Sequence, residues 1–399
     1  MKQWGEIKNR LSKFREFREK TLAVHGGQNH DPVTGAVMPG ISLTSTYAQS
    51  SPGKPVGEYE YSRSHNPSRR QFEDALALME KGDFAMATSS GMSATVLILS
   101  LLKSDDEILC VDDLYGGTYR YFTKNLVDQN IESRFVDFSG KENDEAFLES
   151  TFKENTKMLW IESPTNPMLK LIDIEALANF AQKKNVLVVV DNTFATPILQ
   201  KPLTLGADLV LHSLSKYVGG HSDTVAGAVV GKGEGLMERL FFNQNSLGQI
   251  CPPFDSWLLM RSLKTLEIRM KAHCENAQSL ALWLEKQDGV ERVFYPGLES
   301  HSQHELAKKQ MPLFGGMLSF YVRGGLEETS QFTKKLKLIT LAESLGGVES
   351  LVNHPALMTH ASIPPEIRQE IGIHDNLLRL SVGIEDIEDL KDDLAQALT

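Results

Sequence analysis

Residues 172–193 read IDIEALANFAQKKNVLVVVDNT. The first half spaces Ile174, Leu177, Ala178 and Ala181 along one face of a helix. The second half, Val186–Val190, is an unbroken apolar run of the kind that makes a strand buried on both faces. That strand ends on a carboxylate, Asp191. A helix feeding a buried strand, repeated along a chain, predicts an α/β protein with a parallel sheet covered by helices on both sides. In such sheets ligands collect beyond the carboxyl ends of the strands, which makes Asp191 a site candidate rather than a surface charge.

The same alternation extends outward. It predicts a helix near 68–81 and strands at Asp106–Val111, Met158–Ile161, Val186–Val190 and Leu209–Leu211. From Trp257, WLLMRSLKTLEIRMKAHCENAQSLALWLEKQ predicts one long helical stretch leading into a smaller C-terminal α+β domain. Strands at Phe314–Val322, around Leu338–Leu341 and in LLRLSVGIE belong to that domain. Residues 30–60 are rich in Pro, Gly, Ser and Thr and read as an extended arm whose burial must come from elsewhere, such as a neighbouring subunit. The division expected is an arm over 1–65, a cofactor-binding α/β domain over 66–260 and the C-terminal domain over 261–399.

A chain of 399 residues with 41% hydrophobic content is long enough for two or three packed domains. Its net charge of -11 argues against nucleic acid or an anionic membrane as partner, since either needs clustered Lys and Arg, and favours a small polar substrate. Cys110, Cys251 and Cys274 are too few and too scattered for a disulfide framework or a four-ligand zinc site, and a reducing cytoplasm is the expected compartment. Near the start, Lys8, Arg10, Lys13, Arg15 and Arg18 are interrupted by Glu6, Glu16 and Glu19, which reads as a short amphipathic helix rather than a signal. No run approaches the roughly 20 apolar residues of a membrane span.

The chemistry is concentrated in LVLHSLSKYVGGHSD, residues 209–223. Alone, Lys216 would be a solvated charge. Its neighbours change that reading: Ser213 and Ser215 bracket a place for a phosphate, and Gly219 and Gly220 permit close approach of the backbone. A lysine amine, a strand-end carboxylate and phosphate-binding hydroxyls are the parts of a pyridoxal 5′-phosphate (PLP) site: Lys216 for the Schiff base, Asp191 to keep the pyridine nitrogen protonated. In ATSSGMSAT, Gly91 and Met92 open a helix whose N–H groups suit a phosphate, though capping by Ser89 or Ser90 explains the same pattern. In DDLYGGTYR, Tyr115 precedes a flexible Gly116–Gly117 and offers a ring to stack on a cofactor, or to fill a core.

Other signals read blandly. His301-Ser302-Gln303-His304-Glu305 is a surface loop and helix start rather than a metal site, and no metal is expected. GKGEG at 231–235 is a turn without a following helix of the dinucleotide type. His221, Ser222 and Asp223 are sequential and form no relay by themselves.

Together, YEYSRSHNPSR, SSGMSAT, DDLYGGTYR, ESPTNP, VDNTFATP, HSLSKYVGGHSD, LAESLGGVESL, HPALMTH and LLRLSVGIED resemble the Cys/Met-metabolism family of PLP-dependent enzymes over residues 20–397. The resemblance implies fold type I, the aspartate-aminotransferase-like fold, with a mostly parallel seven-stranded sheet and a smaller C-terminal α+β domain. It implies Lys216 as the Schiff-base lysine, Asp191 as the pyridine partner and Tyr115 as the stacking, proton-exchanging ring. Gly91, Met92, Ser213 and Ser215 resemble the phosphate-binding set, with Ser215 where many relatives have Thr. Tyr61 and Arg63 resemble the pair that reaches a neighbouring subunit's phosphate, which implies a homo-oligomer, usually a tetramer built from dimers. Arg379 resembles the arginine that grips the substrate α-carboxylate, with Ser344 and Asn166 on the same side and Arg120 near a far carboxylate. Glu343 resembles the pattern of family members acting at Cγ. The implied reaction is γ-elimination of L-cystathionine to L-cysteine, 2-oxobutanoate and ammonia. A cystathionine γ-synthase or methionine γ-lyase reaction stands as the alternative, and a non-catalytic PLP-binding module is disfavoured because every position needed for turnover is filled.

Overall fold

The computed structural model describes residues 2–399. It divides into two compact units, one of residues up to Leu101 with Lys201–Thr204 and Asp208–Glu267, the other of Leu102–Gln200, Leu205–Ala207 and Ile268–Thr399. In chain order the strands are β1 (Gln49–Ser51), β2 (Lys54–Pro55), β3 (Phe84–Thr88), β4 (Glu107–Val111), β5 (Glu132–Val136), β6 (Thr156–Glu162), β7 (Leu187–Asp191), β8 (Leu209–Ser213) and β9 (Gly227–Gly231). They continue with β10 (Val290–Phe294), β11 (Met317–Val322), β12 (Thr340–Leu341), β13 (Leu351–Asn353) and β14 (Leu377–Ser381). Seven of them form the large sheet in the order β3-β9-β8-β7-β6-β4-β5.

In the first unit β9 lies antiparallel between β3 and β8, so the sheet is mixed rather than wholly parallel. The expected N-terminal amphipathic helix is present as Lys2–Ser12, and Arg10 pins it by an ion pair at 2.9 Å to Asp74 of the helix Pro67–Met79. That second helix starts where its sequence dictates: Asn66 accepts hydrogen bonds from the N–H groups of Ser68 and Arg69, and Pro67 occupies the first turn. Over residues 30–60 the arm forms the β1–β2 hairpin, and Val33, Val37, Leu43 and Val56 along it are exposed. Two expectations need correction. GKGEG does lead into a helix, Glu234–Leu247, with Gly233 at φ +87° as the hinge. The stretch from Trp257 is two helices, Pro253–Leu263 and Leu266–Leu284, because Thr265 turns both its N–H and its hydroxyl onto the carbonyl of Ser262.

In the second unit β5, β4, β6 and β7 run parallel. The apolar runs of β4, β6 and β7 are buried as read, with Trp160 fully buried and meeting Phe122 edge to face at 5.3 Å, while β5, which the apolar pattern does not predict, is only partly covered. At the amino end of these strands Glu107 is completely buried, yet takes hydrogen bonds from Arg134 and Thr156 and an ion pair from Lys153. The smaller sheet runs β10-β11-β14-β13-β12, antiparallel except between β12 and β13. It packs Leu318, Phe320, Leu378 and Leu380 against Leu280 and Leu284 of the long helix and Leu390 and Leu394 of the closing one.

Cys110, Cys251 and Cys274 are all reduced and buried. Burial pushes the thiol of Cys110 well above its usual range and those of Cys251 and Cys274 up to about 12. Among the described residues no helix is long and apolar enough to cross a membrane.

Candidate functional site

The structure places the predicted residues in two groups, one in each unit. In the first unit, Lys216 follows β8 directly, half-buried in a turn, its N–H on the carbonyl of Ser213 and its own carbonyl accepting from Gly220. Both glycines of the motif are required there. Gly220 has φ +70°, and a Cβ on Gly219 would come within 2.7 Å of the Leu214 carbonyl.

Ser213 stands beside the start of the helix Gly91–Leu99, since a Cβ on Gly91 would lie 2.9 Å from the Ser213 Cβ and 3.0 Å from its Oγ. Ser90 does cap this helix, but its Oγ satisfies only the N–H of Ser93. The helix offers no internal partner to the N–H groups of Gly91 and Met92. The Ser93 hydroxyl is buried without a partner. Capping therefore explains one of three N–H groups and leaves the other two at a helix N-terminus, an arrangement that suits a phosphate. Ser215 is engaged by the start of β9: its Oγ accepts from the N–H of Ala226 at 3.1 Å and lies 3.3 Å from the same residue's carbonyl. Tyr61 and Arg63 are exposed, with the guanidinium over the Tyr61 ring at 5.6 Å and bonded to the carbonyl and Oδ1 of Asn245.

In the second unit Arg379, in β14 and fully buried, donates from Nη1 to Asn166 Oδ1 at 2.9 Å and from Nη2 to the Ser344 carbonyl at 3.0 Å. A buried guanidinium held on two of its nitrogens is fixed in plane, which suits recognition of a carboxylate. Ser344 sits at φ +84°, a conformation non-glycine residues rarely adopt and which functional sites tend to retain. His360 Nε2 donates to the Asn166 carbonyl at 3.1 Å, and burial together with Arg379 lowers that imidazole to about 3, so it is neutral at pH 7. Glu343 and Arg120 are both exposed, Arg120 on the helix Gly116–Lys124.

Tyr115 begins that helix, with its ring partly exposed. The two glycines after it, read in the sequence as a flexible element, instead open the helix Gly116–Lys124 and act as space-makers. A Cβ on Gly117 would strike the Tyr115 ring at 2.4 Å, and one on Gly116 would strike the Thr359 carbonyl at 2.2 Å. The Tyr115 N–H donates to Glu162 Oε2 at 3.0 Å. Glu162 ends β6 just as Asp191 ends β7, and the two are register partners. Asp191 is buried, and its Oδ1 accepts from the N–H of Thr193 at 3.0 Å. Burial, then the charge of Asp191, pushes the Glu162 carboxyl well above the usual carboxylate range. Asp113, also buried, accepts from Thr165 Oγ1 and the Met168 N–H, while burial raises it to about 7.

Glu162 and His360 were not singled out as site residues in the sequence. Glu162 carried the same signal as Asp191, a carboxylate closing a buried strand. His360 carried none, because its place beside Asn166 depends on the path of a loop.

Comparison with known proteins agrees with this geometry. The family model described as Cys/Met metabolism PLP-dependent enzyme matches residues 20–399. A cystathionine beta-lyase of Coxiella burnetii is 53% identical over 95% of this chain and 97% of its own. A cystathionine gamma-lyase of Dictyostelium discoideum is 49% identical over 96% of this chain and 98% of its own. The crystal structure of metB from Corynebacterium glutamicum superposes with a TM-score of 0.92 at 44% identity, over 96% of this chain and 98% of that one. With its fold-type-I architecture of a seven-stranded mixed sheet and a smaller C-terminal sheet, the chain belongs to the Cys/Met-metabolism PLP-dependent enzymes, and its cofactor is pyridoxal 5′-phosphate.

Proposed function

We propose that the enzyme cleaves L-cystathionine by γ-elimination, taking up water and releasing L-cysteine, 2-oxobutanoate and ammonia. The observation that carries the reading is the buried Arg379, fixed by Asn166 and the Ser344 carbonyl, as a socket for an amino-acid α-carboxylate. Names among the relatives support a substrate with a cystathionine carbon-sulfur bond. Glu343, next to Ser344, matches the family pattern for chemistry at Cγ.

Bound PLP supplies electron withdrawal from the substrate α-carbon. Lys216 Nζ would be the covalent anchor of the cofactor and, as a free amine, would move the proton at the substrate Cβ. Asp191 holds the proton on the ring nitrogen. The Tyr115 ring would lie against the cofactor, and its hydroxyl would protonate the departing sulfur. Gly91 and Met92 through their N–H groups, and Ser213 and Ser215 through their hydroxyls, hold the phosphate. Tyr61 and Arg63 serve the phosphate of a neighbouring copy, so the active form is a homo-oligomer, a tetramer built from dimers, and the exposed apolar residues of the arm support such a contact. Arg120 meets the distal carboxylate. An arm of 1–65, a cofactor domain of 66–260 and a C-terminal domain of 261–399 is the functional division we favour, and the cytoplasm the compartment.

The Coxiella relative's name favours a second reading, β-elimination of the same substrate. Purified holoenzyme with L-cystathionine separates them: 2-oxobutanoate with cysteine supports γ-elimination, whereas pyruvate with homocysteine overturns it. An acylated homoserine plus cysteine, converted to cystathionine while cystathionine itself is left intact, would overturn both in favour of a synthase.

A further inference from the structure

Two buried carboxyl groups close neighbouring strands of the parallel sheet. Glu162 and Asp191 are register partners at the ends of β6 and β7, about 5 Å apart along the hydrogen-bonding direction with side chains on the same face. Their exposures are 5% and 9%. Two carboxylates in such a place repel strongly, and burial together with the Asp191 charge favours the protonated form of Glu162.

The surroundings decide which keeps the charge. Asp191 accepts the Thr193 N–H, a contact that favours its ionised form. Glu162 accepts one backbone N–H, from Tyr115, and faces Asp113 as a further acid and Arg379 as the opposing cation. Burial and the Asp191 charge outweigh Arg379 there, and Glu162 is the group driven towards its neutral form. The helix Gly116–Lys124 has no side chain of its own capping its start, so the Glu162 carboxyl is what holds the Tyr115 backbone in place.

We propose that Glu162 is a positioning residue: as a neutral carboxylic acid it fixes the backbone of Tyr115 and leaves Asp191 as the single negative charge available to the ring nitrogen of the cofactor. This rests on the assignment of Asp191 to that nitrogen. A neutral acid does what a second carboxylate would not do, accepting the Tyr115 N–H without competing for the positive charge that Asp191 stabilises. The pair thereby gives the cofactor one charge, not two, and a stacking ring whose height is set by the same buried group.

The test compares holoenzyme with Glu162→Gln, Glu162→Met and Asp191→Asn. The readouts are cofactor dissociation constant on reconstitution, visible absorbance and circular dichroism of the bound cofactor from pH 6 to 10, and thermal unfolding. Glu162→Gln retains an acceptor without charge and is expected within about twofold of wild type in cofactor affinity, with an unchanged pH profile. Glu162→Met removes the acceptor and is expected to weaken the cofactor about tenfold and alter its circular dichroism. Asp191→Asn is expected to weaken it on the order of a hundredfold and to move the pH profile. Glu162→Gln behaving like Asp191→Asn would overturn the proposal by showing that Glu162 carries needed charge, and Glu162→Met with wild-type optical signals would overturn the positioning role. Wild-type behaviour of Asp191→Asn would overturn the Asp191 assignment itself. If the Met variant fails to fold, the pH profile of the Gln variant alone decides.

Discussion

The first unit makes its contribution by leaving things out, and the second by burying charge. Around Lys216 the working parts are absent side chains and backbone amides: Gly91 against Ser213, Gly219 against Leu214, Gly220 at positive φ. Around Arg379 they are ionisable groups taken out of water, Arg379, Asp191, Glu162 and Asp113, each held by hydrogen bonds. Shape made by glycine tolerates no added atoms, whereas charge made by burial tolerates no loss of a partner.

The contrast can be broken in order of effect. Lys216→Ala is expected to lower elimination by roughly a thousandfold or more and to abolish the absorbance of covalently anchored cofactor, because it removes anchor and proton carrier together. Retention of either signal would take the chemistry away from the first unit. Arg379→Ala leaves Asn166 and the Ser344 carbonyl facing an empty socket, and kcat/KM for cystathionine is expected to fall on the order of a hundredfold, about 3 kcal/mol. Arg379→Lys recovers only part of this, since one ammonium cannot reproduce the planar pair of contacts. Equal activity of Lys and Arg at 379 would mean that charge alone matters there.

Gly91→Ala tests the other side of the comparison. Its methyl group must push Ser213 aside, and cofactor affinity is expected to drop about tenfold while the unit stays folded. The smallest effect concerns stability, at the opposite end of the same strands. Burial alone would raise the Glu107 carboxyl, but hydrogen bonds from Arg134, Lys153 and Thr156 bring it down to about 2. A depressed value in the folded state contributes stability above the ordinary pKa near 4.5 that is lost as pH falls towards 2. Glu107→Gln is expected to flatten the stability curve across that window without changing the pH profile of turnover. Charges at the amino ends of the strands would then serve the fold, and those at the carboxyl ends the chemistry.

Much of this was legible in residues 172–193. The helix, the buried strand and the strand-end carboxylate are local properties, set by periods of 3.6 and 2 and by a run of valines, and they appear as read. The Lys216 turn was legible because its glycines and hydroxyls are neighbours in sequence. What was not legible depends on pairing between distant segments. Glu162 matters through the register of β6 with β7, and Gly116 through a carbonyl at Thr359. Thr265 broke a helix that hydrophobic spacing alone continued, since a side-chain hydroxyl returning to the preceding turn leaves no mark on that spacing.

The three cysteines carry a practical corollary. An enzyme whose product is a thiol is followed with thiol-reactive reagents, which would also modify any accessible sulfhydryl of the protein. Here every sulfhydryl is shielded and protonated, so such a reagent finds little to attack on the catalyst itself. A thiol-reactive chromogenic reagent can therefore stay in the cuvette throughout turnover, reporting the liberated thiol continuously against a background set by buffer rather than by protein.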